Sequence, residues 1–437
     1  METIFISSPF FFLYNTSMKI SLIADPHLNK TIYKGVMDEE FTDIPFRNAD
    51  LMRSFEFAIN KNINEIHPDL IVILGDVYDT PHPLNPIRTF FNSQLRRLSE
   101  AHIPVIILVG NHDICSKHHA LEPIAALGLK NVKVIATPTL TIFKDKILML
   151  FPYSLEVEKK AITIRDQFHQ FVETAHKQIA TNSSYENKDL LFFGHFSVSG
   201  AIKNAYDDDD INDISGAKEG DSKKMVYHHS DHDISLTDLD TIGASHIFLG
   251  DFHRYQKLKC RTTAFYIGSP EKCNFSEKDD KKGFMVYDYV TGTCPTCSFV
   301  EYPNCRPMIE LKGTYDEMLK DMESYPPSTK TLIKLYFVGN EKELLEYSIK
   351  QDDFKKKLQA KFKPLYIFPK QKLIDEEEQK EASLIESDIL SKGHIDDNDV
   401  RQAAEEAIRE KEKDPEEQAI LIKMGNEVYE ETKQGDV

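Results

Sequence analysis

Between Met18 and about Tyr302, short apolar runs alternate with amphipathic stretches. Six runs end in polar residues: KISLIAD (19–25), DLIVILGD (69–76), PVIILVGN (104–111), KILMLFPY (146–153), DLLFFGH (189–195) and HIFLGD (246–251). Their length and β-branched content predict strands buried on both faces of a sheet. Residues 48–66, 85–101 and 155–180 carry helical periodicity between them. The alternation predicts a layered α/β domain. TAFYIGS (263–269), GFMVYDY (283–289) and CSFVEYP (297–303) add later strands, expected to be antiparallel.

Beyond residue 304 the pattern changes. PMIELKG, a short helix near 314–323, KTLIKLYFV, a helix near 341–360 and KPLYIF read as a β-α-β-α-β cap domain over 305–368. Residues 369–395 are acidic and poor in aromatics, which predicts a linker. In the tail, 396–437, Asp414-Pro415-Glu416-Glu417 supplies an N-cap acid, a proline at the first helical position and a capping-box glutamate. Ile420, Met424 and Val428 then form an i, i+4, i+8 stripe, which either folds back on its own domain or docks on another protein. Residues 18–304 would be the main domain. Met18 immediately precedes the first strand, so residues 1–17 read as a mis-assigned start or a disordered extension.

Of the 437 residues, 41% are apolar and 28% charged, as in soluble globular chains, and no apolar stretch approaches the ~18–20 residues of a membrane span. The first 17 residues lack Lys and Arg and are interrupted by Pro9, which makes a poor signal peptide. A cytoplasmic protein is expected. The net charge of −18 is concentrated in two places. Residues 206–238 hold 10 acids against 3 bases, and residues 370–437 hold 21 against 10, so the rest carries 40 of each sign. A neutral main body neither demands nor excludes a phosphate-rich substrate. The six cysteines include one CxxC, Cys294-Pro-Thr-Cys297, without a second ligand pair at zinc spacing, and read as reduced structural thiols. His228, His229, Asp231 and His232 have metal-binding composition but stand beside the acidic insert, far from a strand end, and read as an exposed segment.

The chemistry collects at the ends of the apolar runs. In order they present Asp25 and His27; Asp76 and Asp79; Asn111, His112 and Asp113; His195; and Asp251 and His253. Open α/β sheets bind ligands at the carboxyl ends of their strands. Taken singly, an acid there usually caps the next helix, and Gly-Asn-His-Asp can be only a turn. Five such ends together supply carboxylate, amide and imidazole ligands suited to Mn²⁺ or a similar ion. They could hold two ions, one to activate water and both to clamp the oxygens of a phosphoryl displacement.

The ordered set Asp-x-His, Gly-Asp-x-x-Asp, Gly-Asn-His-Asp, Gly-His and Gly-x-x-His resembles the calcineurin-like metallophosphoesterases. More narrowly, GDVYDT, GNHD and YIGSPEKCNFSEKDDKKGF (266–284) resemble the SbcD and meiotic-recombination-eleven nuclease subunits, especially their phage versions. The resemblance covers roughly residues 18–305. It implies a layered β-sandwich core with flanking helices, beside the small α/β cap and helical tail. It also implies two divalent ions, most often Mn²⁺ with Mg²⁺ as the other option. Asp25, His27 and His253 would hold one ion and Asn111, His195 and Asp251 the other, with Asp76 bridging. His112, oriented by Asp79, would stabilise the transition state or protonate the leaving oxygen. The family normally has histidine where Asp251 stands, so Asp251 either biases the site toward Mn²⁺ or Mg²⁺ or weakens it. The implied activity is 3′-to-5′ exonuclease on duplex DNA and single-strand endonuclease, for DNA end processing, recombination and repair. The implied partners are an SMC-like ATPase bound through the C-terminal helices and a second copy of the chain. If phage-encoded, the protein would work in the host cytoplasm. The competing readings are a phosphatase or small-substrate phosphodiesterase on the same core, and a non-catalytic scaffold. Thr80 after Gly-Asp-x-x-Asp, where protein phosphatases carry Arg, counts against the phosphatase branch.

Overall fold

Alternation within the buried runs assigns each strand two apolar faces, and both are used. In the computed structural model, which describes residues 17–30, 36–203, 226–227, 233–290, 293–364 and 366–373, the runs form two six-stranded sheets. The first sheet contains β1 (Ser17–Ile23), β2 (Leu70–Leu74), β3 (Val105–Leu108) and β4 (Val132–Ile135), all parallel. The hairpin of β11 (Gly283–Val290) and β12 (Thr296–Glu301) adds antiparallel to β1, giving the order β12-β11-β1-β2-β3-β4. The second sheet contains β5 (Thr139–Phe143), β6 (Lys146–Phe151), β7 (Asp189–His195), β8 (His246–Gly250), β9 (Gln256–Lys257) and β10 (Thr263–Tyr266). Its order is β9-β10-β8-β7-β6-β5.

Three apolar layers result. Ile20, Leu22, Leu70, Val72, Leu74, Leu148, Leu191, Phe193 and Phe248 form the layer of side chains where the two sheets face each other. The alternate residues Ile23, Ile71, Ile73, Val105 and Ile107 pack with Phe55, Phe91 and Leu95 of helices α1 (Phe46–Lys61) and α2 (Asn85–Glu100). Met149, Phe151, Phe192, Ile247 and Leu249 pack with Phe168 and Val172 of α3 (Ile164–Thr181). Each such side chain contributes about 1.5–3 kcal/mol by burial. With both faces committed to apolar contact, polar chemistry is left to the strand ends. The expected layered sandwich with flanking helices is therefore present.

Two details differ from the sequence reading. β10 runs parallel to β8, not antiparallel. β4 and β5, edge strands of the two sheets, were not expected; their burial is only partial, so the continuous apolar signal of central strands is missing. The β-α-β-α-β string after residue 304 is present as β13 (Met308–Gly313), a helix Tyr315–Ser324, β14 (Leu332–Gly339), a helix Glu341–Phe362 and β15 (Tyr366–Leu373). β15 runs into the stretch read as linker.

The chain divides into two compact units, Met1–Leu311 with Ser324–Leu335 and Lys355–Pro369, and Lys312–Glu323 with Tyr336–Phe354 and Lys370–Val437. Every candidate site residue belongs to the first. In the second, Phe337 stacks on Tyr347 and Tyr315 packs against Phe354. The residues before Ser17, nearly all of the acidic insert, the His228–His232 cluster, the acidic linker past Leu373 and the helical tail lie outside the described residues. No helix among the described residues is long and apolar enough to cross a membrane.

Candidate metal centre

The five strand ends are stitched to one another by main-chain hydrogen bonds. Past β1, the N–H groups of His27 and Leu28 donate to the carbonyls of Asp76 and Val77 at 3.0 and 2.9 Å. Asp79 N–H returns one to Leu28 at 3.0 Å, so the loops after β1 and β2 continue the sheet as a short ladder. The loop after β3 is tied to that ladder by Asp113, which is fully buried. Its carboxylate accepts from the N–H groups of Gly110 at 3.0 Å, Tyr78 at 3.0 Å and Val77 at 3.3 Å. His112 N–H donates to Asp76 Oδ1 at 2.9 Å.

These turns are forced. Asp25, His27, Asp76 and Asp251 hold positive φ angles of 49°, 44°, 46° and 101°, a region non-glycine residues rarely enter. Four such residues at one edge mark strain held in place for the site. Glycine serves two different needs beside them. Gly75 itself has φ 85°, and a Cβ there would lie 2.3 Å from His195 Nδ1. Gly110 needs space alone, since a Cβ would meet Asp76 Oδ1 at 2.1 Å.

The side chains converge around Asp76. Its Oδ2 lies 3.6 Å from His27 Nε2, and its Oδ1 lies 3.3 Å from His195 Nε2. One carboxylate thus presents an oxygen to each of two imidazoles. His195 Nε2 also lies 2.9 Å from Asn111 Oδ1, while its Nδ1 faces the Leu74 carbonyl at 2.7 Å and Asp25 Oδ1 at 3.6 Å. The rings of His27 and His253 meet edge-on with centroids 4.6 Å apart. Asp25, His27, Asp76, Asn111, His195 and His253 are therefore brought together.

Asp79 and His112 meet differently from expectation. His112 Nδ1 bonds to the main-chain carbonyl of Asp79 at 3.0 Å, not to its carboxylate. That carboxylate faces His27 Nδ1 at 3.1 Å and accepts from Lys30 Nζ at 2.9 Å. The tight Gly-Asp-x-x-Asp turn aims the carbonyl outward and the side chain inward, so Asp79 orients both histidines through different atoms. Asp251 joins the site through its backbone N–H, and its Oδ2 accepts from Ser197 Oγ at 2.6 Å. Neither Asp251 nor His195 belongs to the three metal-capable groups among the described residues: Asp25/His27/Asp76, His27/Asp79/His112 and His253/Cys273/Glu277. The cysteine pair Cys294 and Cys297 is likewise in none of them, and all six thiols are free.

The residues fit a dimetal centre on two observations. Asp25 Oδ2 and His27 Nε2 are buried without a hydrogen-bond partner, while His27 Nδ1 faces the Asp79 carboxylate at 3.1 Å. Such atoms are costly unless a cation uses their lone pairs. In addition, His195 faces oxygen acceptors at both nitrogens, which calls for positive charge. Burial opposes protonation of His195, yet the carboxylates of Asp76 and Asp25 raise its pKa to about 10. Burial raises the Asp25 carboxyl to about 6 despite His195 and His253, and burial with His253 lowers His27 to about 4. Burial would raise Asp76 too, but His195 and His27 hold it well below the usual carboxylate range.

Sequence reasoning assigned no role to Lys30, Asp113, Ser197, Glu277 or Lys282. Asp113 stood in the quoted Gly-Asn-His-Asp, and Glu277 and Lys282 in the 266–284 block, so their signal was visible without a role attached. Ser197 gave none.

Comparison with known proteins agrees with this geometry. The chain is 24% identical to the SbcD component of the SbcCD nuclease of Bacillus subtilis over 307 residues, covering 68% of this chain and 72% of the relative. It is 29% identical to the DNA double-strand break repair protein Mre11 of Methanococcus maripaludis over 206 residues, covering 46% of this chain and half of that one. Against the SbcD component of the Escherichia coli K12 SbcCD nuclease it is 22% identical over 333 residues, 70% of this chain and 74% of the relative. The family model for calcineurin-like phosphoesterases matches residues 18–264, the span that carries all five strand-end motifs, so the chain belongs to the calcineurin-like phosphoesterases.

Proposed function

We propose that the protein is a Mn²⁺-dependent DNA nuclease subunit, cutting duplex DNA 3′ to 5′ and single strands internally, and working with an SMC-like ATPase in end processing and repair. The observation that carries the hydrolytic part is Asp76, whose Oδ2 faces His27 and whose Oδ1 faces His195, itself beside Asn111. The DNA substrate rests on likeness to relatives named as a nuclease component and a break-repair protein. The ATPase partner, its docking on the C-terminal helices and the homodimer rest on the same resemblance. The hard oxygen and imidazole donors favour Mn²⁺ or Mg²⁺ over a thiolate-loving ion.

Divalent ions held by Asp25, His27, Asp76, Asn111, His195 and His253, with Asp251 as a further candidate, would supply concentrated positive charge for water activation and phosphate binding. The chain's own contribution is positioning. His195 donates Nδ1–H to Leu74, which leaves Nε2 as the ligand atom. His112 is exposed, and its Nδ1–H is committed to Asp79, so Nε2 is the nitrogen free to meet a substrate oxygen. There it can donate a proton or a charged hydrogen bond to the departing 3′ oxygen.

The test is cleavage of end-labelled linear duplex with Mn²⁺, comparing wild type with Asp76→Asn. Degradation lost in the variant supports the nuclease. Inertness on DNA with Asp76-dependent hydrolysis of a small phosphodiester would replace it with the phosphodiesterase.

A further inference from the structure

Of the three groups of metal-capable side chains, His253/Cys273/Glu277 is the one that holds a buried lysine. Glu277 and Lys282 are each about 1% exposed. Glu277 Oε1 accepts from His253 Nδ1 at 2.9 Å; its Oε2 accepts from the Cys273 N–H at 2.8 Å and from Lys282 Nζ at 2.5 Å. The Lys282 ammonium spends its other two protons on the His253 carbonyl at 2.8 Å and Ser269 Oγ at 3.0 Å. Ser269 closes the circuit, its N–H donating to the same His253 carbonyl at 3.0 Å and its hydroxyl to Glu271 O at 2.8 Å. An ammonium inside the group repels a further cation, so these residues do not form a third metal site.

Lys282 and Glu277 instead grip one residue at two points, the main-chain carbonyl and the ring nitrogen of His253. A buried ion pair is an expensive way to fill a core, because apolar residues of similar volume often serve as well or better. We infer that Glu277 and Lys282 are positioning residues that fix the tautomer and direction of His253, so that Nδ1–H points at Glu277 and the Nε2 lone pair is the one offered to metal. A carboxylate behind a ligating histidine is a recurrent device, and its loss weakens metal binding by about 10- to 100-fold. This inference rests on the two-metal reading above, with His253 as a ligand.

The test is Mn²⁺ titration of the full chain by calorimetry, with electron paramagnetic resonance to separate spin-coupled pairs from single ions, and apo melting temperatures alongside. Glu277→Gln keeps the volume but must turn an NH₂ toward either His253 or the Lys282 and Cys273 donors. The double variant Glu277→Leu with Lys282→Met removes both charges together, and its apo melting temperature reports whether it folds. We expect one of two Mn²⁺ affinities to fall about 10- to 100-fold in both variants. The coupled-pair signal should be lost, and the apo melting temperature of the double variant should stay near wild type. Wild-type affinity at both sites in the folded double variant would overturn the inference, leaving a purely structural ion pair. Equal weakening of both sites with a lowered apo melting temperature would also overturn it. A wild type that takes up only one ion sinks the two-metal reading itself and this inference with it.

Discussion

Asp25 Oδ1 accepts the backbone N–H of Asp251 at 2.9 Å, joining residues 226 positions apart. The first and last Asp-x-His segments of the chain are thus one structural unit, with the two strand ends held together by the side chain of one and the main chain of the other. This frees the Asp251 side chain from any duty in closing the site. Its Oδ2 takes a hydrogen bond from Ser197, which leaves Oδ1 available as a ligand atom in place of an imidazole nitrogen. Asp251→Asn keeps the shape and the Ser197 contact but removes the charge. We expect it to weaken one Mn²⁺ site by roughly tenfold, the lower end of effects seen for groups supporting a metal. Calorimetric titration checks this; unchanged affinity would assign Asp251 to the Ser197 loop alone.

His112 offers a test that separates metal binding from chemistry. Its ring is exposed, and the contact that helps shape the site, His112 N–H to Asp76 Oδ1, belongs to the main chain. His112→Asn should therefore leave Mn²⁺ affinity and melting temperature close to wild type while lowering kcat by about 10²- to 10⁴-fold, the range for a lost general acid. A parallel drop in metal affinity would show that the ring is a ligand instead.

Asp113 is fully buried, and its job is mechanical. Three buried N–H groups, of Gly110, Val77 and Tyr78, depend on its carboxylate. Asp113→Ala strands all three. At about 1–3 kcal/mol for each unsatisfied buried group, discounted for relaxation, a loss near 3 kcal/mol is expected. In a unit of this size that is a fall of roughly 5–10 °C in melting temperature. Asp113→Asn, with one acceptor oxygen left, should lose about half as much. A shift within error for the alanine variant would mean that the two loops are held by the strand ladder alone.

Much of this was legible before the fold was known because the central strands are buried on both sides. Leu70–Leu74 and Val105–Leu108 have no exposed position, so they appear as unbroken apolar runs that end abruptly where ligands begin. The edge strands Val132–Ile135 and Thr139–Phe143 lack that signature. Their direction of pairing, like that of Thr263–Tyr266, is set by long-range partners and leaves no local trace. The ligand types were equally plain, since Asp, Asn and His after glycine at five strand ends is a pattern few structures need. Their hydrogen-bond geometry was not. Whether Asp79 meets His112 through carbonyl or carboxylate depends on the turn's dihedral angles. That Glu277 and Lys282 stand behind His253 depends on a loop returning across 24 to 29 residues of sequence.

Metal removal tests the dimetal centre without any mutation. Asp25 Oδ2 and His27 Nε2 are buried without a hydrogen-bond partner, and Asp76 faces two imidazoles across gaps of 3.6 and 3.3 Å. A site that binds cations in the folded state and not in the unfolded one stabilises the fold when loaded. At a free Mn²⁺ concentration about 100 times Kd, one site contributes roughly 2.7 kcal/mol. We expect the melting temperature to rise by about 5–10 °C between chelator and saturating Mn²⁺. Asp76→Asn, which removes the one carboxylate shared by both halves, should abolish most of that rise while its chelated form melts close to chelated wild type. Differential scanning calorimetry in chelator and in Mn²⁺ measures both. A wild-type melting temperature indifferent to chelator and Mn²⁺ would mean that these strand ends do not hold metal.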